Sequence, residues 1–252
     1  MGRCKEIVIK VIPASVANPF VKAHHYSGKI VPNSQLHFGA FLDGRLHGVL
    51  SYGCSMDKRK TMALVEGTGW NEFLELNRMA FDDYLPRNSE SYCIGATLRM
   101  IKKQAPHIKW VISFADATQC GDGTIYRASN FVLTGIKKNT QIIELENGKR
   151  VAKKTLDNKN FPSINGRYFS NVLLEHGGGH YVDGYQLRYI YFLDKNYRKR
   201  LTVPIIPFSE IDKRGAGMYK GENVTRQERH EIKSPEQLER EQQKAERISD
   251  GD

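Results

Sequence analysis

The chain has 252 residues, with 38 Lys and Arg against 28 Asp and Glu and a formal net charge of +10. Its hydrophobic fraction of 40% can fill a core. No apolar run nears the roughly 20 residues of a membrane span, and the start "MGRCKEIVIK" lacks a secretory signal, so the expected compartment is the cytoplasm. Cys4, Cys54, Cys93 and Cys120 are scattered without a CxxC pair, a pattern that suggests reduced thiols rather than a disulfide framework or a zinc knuckle.

In chain order, "CKEIVIKVIP" predicts a first strand. A helix follows over "ASVANPFVKAHHYSG", with Ser15 a candidate cap and Gly28 a candidate stop. "QLHFGAFLDGRLHGVLSYG" holds two alternating apolar runs around Asp43-Gly44, the signature of a tight hairpin. "FLELNRMAF" reads as a strand. "SESYCIGATLRMIKK" has helical spacing in Ile94, Leu98 and Ile101. "IKWVISFAD" is a buried strand, and "GTIYRASNF" a short helix ending near Gly135. A second hairpin turns at Asn147-Gly148, and "YQLRYIYFLD" is the last strand. This alternation predicts an α/β protein with a mixed central sheet flanked by helices.

Residues 1–206 are expected to form the catalytic domain and 207–252 a charged tail, disordered or peripherally helical. Residues 221–252 hold 6 Lys and Arg against 9 Asp and Glu, so the rest of the chain carries +13. A body this basic suits a polyanionic partner, or is simply a basic soluble protein.

Four stretches could carry chemistry. His24, His25 and Tyr26 in "HHYSG" put an imidazole and a phenol at a helix end, where they act in acid–base work or merely pack. In "ELNRMAF", strand alternation puts Arg78 on the face of Leu76 and Ala80. A guanidinium there needs an anionic partner, either a structural carboxylate or a substrate phosphate. Ser89 or Ser91 can cap the next helix, whose free N–H groups suit an anion. Asp116 ends a buried strand at the edge where open α/β sheets bind ligands, with Tyr126 and Arg127 just beyond. It is a candidate proton acceptor, or a cap. His176 and His180 in "HGGGH" lack an evident third metal ligand, and "DKNYRKRL" interleaves Tyr with basic residues as nucleic-acid surfaces and solvated strand ends both do.

Taken together, "HYSG", "ELNRMAF", "SESYCIGATLRMI", "VISFAD" and "GTIYRASNFVLTG" resemble the Mom family of bacteriophage DNA-modification proteins, and the strand order resembles the GNAT (acyl-CoA N-acyltransferase-like) fold. The resemblance covers about residues 20–192. It implies a transferase that converts adenine in double-stranded phage DNA to N6-carbamoylmethyladenine, protecting the DNA from host restriction endonucleases. The family's functional positions fall on His25, Tyr26, Ser91 and Asp116 as catalytic residues, and on Arg78 and Tyr126 at the substrate, with Asn77 and Tyr52 assigned beside them. The resemblance also raises a bound iron, with no ligands identified.

Coenzyme-A-using members of the fold have a glycine-bearing loop at the helix N-terminus. Here the stretch is "NSESYCIGA", and Glu90 would repel a pyrophosphate, which disfavours acetyl-CoA. An N6-glycyl group is isomeric with N6-carbamoylmethyl. Its free amine can attack C6 through a five-membered ring and expel the original nitrogen as the amide, so the expected donor is glycyl-tRNA, with tRNA as a second polyanionic partner. The rival readings are an acetyl-CoA-dependent N-acetyltransferase and a non-catalytic DNA-binding protein.

Overall fold

A computed structural model describes residues 3–225, apart from 159, 162 and 220, together with residue 228. A strand, β1 (Val8–Ile12), leads into helix α1 (Ala14–His24). Pro13 precedes the helix with extended backbone and no side-chain cap, so Ser15 does not cap it. Next come β2 (Ser34–Leu42) and β3 (Arg45–Gly53). Asp43 and Gly44 between them have φ of 50° and 78°, the paired positive values of a type I′ turn.

Helix α2 (Lys58–Met62) lies in the following loop, and then β4 (Phe73–Phe81), α3 (Ser89–Gln104), β5 (Trp110–Ala117) and α4 (Thr124–Ala128) run in order. The expected helix to Gly135 stops early. Asn130 adopts φ 64°, the N–H of Phe131 bonds Tyr126 and that of Asn130 bonds Arg127. That is a Schellman stop, sealed by the Tyr126 and Phe131 rings at 5.5 Å. The released segment becomes β6 (Val132–Lys138), whose Val132, Thr134 and Ile136 suit a strand.

An excursion then forms β7 (Ile142–Leu145), β8 (Arg150–Ala152), α5 (Lys153–Leu156), α6 (Phe169–Glu175) and β9 (Gly179–Tyr181). Its strands make a separate sheet in the order β8-β7-β9. The chain returns as β10 (Tyr185–Phe192), followed by α7 (Lys195–Arg198) and α8 (Ser209–Lys213).

The main sheet has seven strands in the order β1-β2-β3-β4-β5-β10-β6, antiparallel except for the parallel β4–β5 pair. Two irregularities shape the site. The parallel pair is joined only from Phe73–Glu75 to Trp110–Ile112, and beyond that the strands part. In β4, Ser51 faces Arg78 and Tyr52 faces Leu76, so Asn77 is an extra, bulged residue. Side chains alternate along a strand, so one extra residue turns Arg78 onto the face of Glu75 rather than that of Leu76, correcting the expected Leu76–Arg78–Ala80 face.

The main core packs Phe38, Leu50, Tyr52, Leu76, Ile94, Leu98, Val111 and Tyr189 between the sheet and α3. Phe73 stacks on Trp110 at 4.5 Å where the parallel pair is still joined. The core also takes in Ile211, Ala216 and Met218, so the packed body reaches past the expected boundary at 206. From 226 onward, residue 228 apart, the expected tail lies outside the described residues. No helix among the described residues is long and apolar enough to cross a membrane. Mixed sheet, helical cover and a parallel pair that parts give the GNAT-like α/β fold expected from the strand order.

Candidate active site

The loop after α1 closes the opening between β4 and β5. Tyr26 donates its phenolic hydrogen to Asp116 Oδ2 at 3.2 Å. The same carboxylate accepts from the Thr118 N–H at 3.1 Å, from the Thr118 hydroxyl, and from Gln119 Nε2 at 3.4 Å. Four donors fill the roughly four lone-pair positions of a carboxylate. Asp116 is thus built to hold Tyr26, and its expected role as proton acceptor is not what this geometry offers.

Tyr26 is 52% exposed, with its hydroxyl against Asp116. Desolvation, then the Asp116 charge and Cys120, push its pKa upward against Arg78. It stays a neutral donor. Its ring lies 4.3 Å from that of His25. His25 Nδ1 receives the Ser27 N–H at 3.1 Å and sits 2.8 Å from the Ser27 hydroxyl. An N–H donated to Nδ1 leaves the neutral ring's proton on Nε2. Desolvation, helped by Arg78, lowers the His25 pKa to about 4, so the ring is neutral near pH 7 and offers an Nε2–H donor rather than a base.

Arg78 Nε donates to the Lys29 carbonyl at 3.0 Å and Nη1 to the Asn77 carbonyl at 2.8 Å. Among the described residues it makes no salt bridge, although the Glu75 charge acts on it. Desolvation lowers its pKa against the pull of Tyr26 and Glu75. His25, Tyr26, Arg78 and Asp116 are therefore one assembly.

The hydroxyl and amide groups of Tyr52, Tyr126 and Asn77 are taken up by structural bonds. Tyr52 is fully buried, its hydroxyl 2.7 Å from Thr97 Oγ1, so it ties β3 to α3 and cannot touch substrate. Tyr126 is 7% exposed between Phe131 and Tyr189. Burial pushes its hydroxyl up to about 12, against a hydrogen bond with Ser113. It is a floor beneath the opening, not a surface on which a base stacks. Asn77 is buried, accepting from Ser34 Oγ at 3.1 Å, which anchors the bulge to β2.

Neither Ser89 nor Ser91 caps α3. Asn88 holds the N-cap with φ 71°, while Ser89 bonds the Pro86 carbonyl at 2.5 Å and Ser91 the Asn88 carbonyl at 3.1 Å. Nothing ties Ser91 to the Tyr26–Asp116 assembly. Among the described residues no three His, Cys, Asp or Glu side chains are grouped to hold a metal, so these residues do not fit a bound iron.

Sequence reasoning missed Glu75. It occupies the last joined position of the parallel pair, opposite Ile112 and Gly53. Burial holds its carboxyl above the ordinary range, opposed by hydrogen bonds from Ser55 and Asn77 and by the Arg78 charge. An acid in a mostly apolar strand run was the available signal.

Among the described strands of the main sheet a single parallel pair parts beside a bulged strand, with phenol, imidazole, guanidinium and carboxyl groups near the opening, which defines an α/β protein of GNAT-like topology. Residues 6–210 match the Mom protein family, and the chain belongs to that family. It is 36% identical over 202 residues to "Methylcarbamoylase mom" of Escherichia phage Mu, covering 80% of this chain and 81% of the relative. Looser likenesses exist to the ribosomal-protein-S18-alanine N-acetyltransferase of Escherichia coli (10% identity, 75% of this chain and 94% of the other, TM-score 0.41). The spermidine/spermine N-acetyltransferase of Vibrio cholerae is similarly distant (9%, 79% and 99%, TM-score 0.43). Neither speaks for the substrate or donor of this chain.

Proposed function

We propose that this protein is a DNA-modifying transferase. It converts adenine to N6-carbamoylmethyladenine in double-stranded phage DNA and so shields that DNA from host restriction endonucleases. The observation that carries this reading is the Tyr26–Asp116 bond closing the parted strands beside Arg78, in a chain 36% identical to a phage methylcarbamoylase.

Adenine N6 lies inside the duplex stack, so the base flips out at a cost of a few kcal/mol. Arg78 holds a phosphate or the donor carbonyl, using N–H groups that Lys29 and Asn77 leave over. His25 Nε2–H donates to the oxyanion that forms when N6 attacks. Asp116 fixes the Tyr26 hydroxyl at the rim. The start of α3, with Ser91, receives the donor's terminal ribose, and Glu90 in that first turn disfavours a pyrophosphate. The donor is glycyl-tRNA, whose glycyl unit rearranges through a five-membered ring after transfer. The net charge of +10 favours contact with two polyanions.

Mass spectrometry of nucleosides from DNA of expressing cells fed labelled glycine tests this. Carbamoylmethyladenine retaining both glycine carbons and the nitrogen is the expected result. Label from acetate instead would reject the donor, and unmodified adenine would leave a DNA-binding protein without catalysis.

A further inference from the structure

We propose that Glu75 is the catalytic base that takes the proton from adenine N6. This rests on the adenine-modifying reading above. The groups first suited to the task are occupied. Asp116 already accepts four hydrogen bonds. His25 keeps its proton on Nε2 because Nδ1 takes the Ser27 N–H. Tyr26 is neutral and gives its hydrogen to Asp116.

Glu75 is the last residue of β4 paired with β5, so its side chain leaves the sheet face where the two strands begin to part. The Asn77 bulge puts it on the same face as Arg78, three positions on, where regular alternation would separate them. Ser55 and Asn77 pull its carboxyl back toward the ordinary range, and Ser55 is itself held 2.9 Å from Thr61 Oγ1. The charged and titratable groups facing it are Arg78 on its own strand and Tyr126 from α4. Burial without an ion pair makes this carboxylate a stronger base than an exposed one.

In the step itself, the N6 lone pair forms the new N–C bond to the carbonyl carbon of the activated acyl donor. The N6 proton passes to the Glu75 carboxylate. As the tetrahedral adduct collapses, its electron pair breaks the bond to the leaving hydroxyl, which recovers that proton from Glu75. Charge and atoms balance without an oxidant or a metal.

The test compares wild type, Glu75→Gln and Glu75→Asp as full chains in clarified extracts of expressing cells. It follows the initial rate of adenine modification on added plasmid DNA across pH, with melting temperature and affinity for a labelled duplex measured alongside. Glu75→Gln is expected to lose at least about 100-fold in rate while duplex binding holds and the melting temperature does not fall. The wild-type rate should fall on the acid side through a pKa above the ordinary carboxylate range, a limb that Glu75→Gln lacks and Glu75→Asp keeps at reduced rate. Glu75→Gln within about threefold of wild type overturns the assignment, as does a loss matched by weaker binding or melting. If wild type makes a different acylated adenine and Glu75→Gln abolishes it, the product reading falls while the base stands. No acylated adenine from wild type removes both.

Discussion

The phenol of Tyr26 meets the carboxylate of Asp116 at 3.2 Å, although 90 residues separate them in the chain. The contact joins the loop after α1 to the carboxyl end of β5 and so turns a gap between strands into a bounded site. Neither residue alone marks the opening.

Because the two act as a unit, Tyr26→Phe and Asp116→Asn should each slow adenine modification by about 10-fold to 100-fold. The double variant should be little worse than the poorer single one. Initial rates by nucleoside mass spectrometry, set against unchanged duplex affinity, check this. Fully multiplicative losses would show that the residues act separately.

Gly123 has φ 82°, and a Cβ there would come within 2.5 Å of the Tyr189 ring. Gly123→Ala should therefore destabilise the fold by more than about 1 kcal/mol. Urea denaturation reads the loss. An unaltered midpoint would mean that the turn before α4 is looser than its geometry states.

Tyr126→Phe and Tyr52→Phe each remove one buried hydroxyl hydrogen bond, to Ser113 and to Thr97. Each should cost about 1 kcal/mol of stability and leave modification nearly intact. A collapse of activity at unchanged melting temperature would return either phenol to the substrate.

Two groups set opposite pH trends in stability. His25 has a depressed folded pKa of about 4 against 6.5. The unfolded chain thus binds the proton first, and stability falls as pH drops between those values. His25→Gln should flatten that decline. Glu75 has a raised folded pKa, so its stabilising contribution is complete below the ordinary carboxylate range and is lost as pH rises through the folded value. Glu75→Gln should melt higher than wild type near neutrality and equally in acid. Melting curves across pH read both, and a Glu75→Gln chain that melts lower near neutrality would mark the carboxylate as a structural support.

The order of strands and helices could be read from period and punctuation because those signals are local. The Asp43-Gly44 turn and the Asn147-Gly148 hairpin sit where their residues demand, and Gly148 has φ 75°. β6 was hidden because the stop at Asn130 depends on which backbone groups bond across Phe131, and an isolated Asn does not reveal that. His25, Tyr26, Arg78 and Asp116 could be named from their motifs, and the structure brings them together. Tyr52 and Tyr126 were misplaced because an aromatic with a hydroxyl reads alike whether it faces solvent or a buried Thr or Ser. Glu75 escaped notice because alternation puts it opposite Arg78, and only strand pairing exposes the extra residue between them.

That extra residue makes the site depend on chain length as well as chemistry. Deleting Asn77 alone, with every other amino acid untouched, would rotate either Glu75 or Arg78 to the far side of the sheet. Scanning by substitution would pass over this dependence, whereas a one-codon deletion should abolish modification as completely as loss of the guanidinium. Insertions and deletions within 73–81 are therefore the changes that this strand can least absorb.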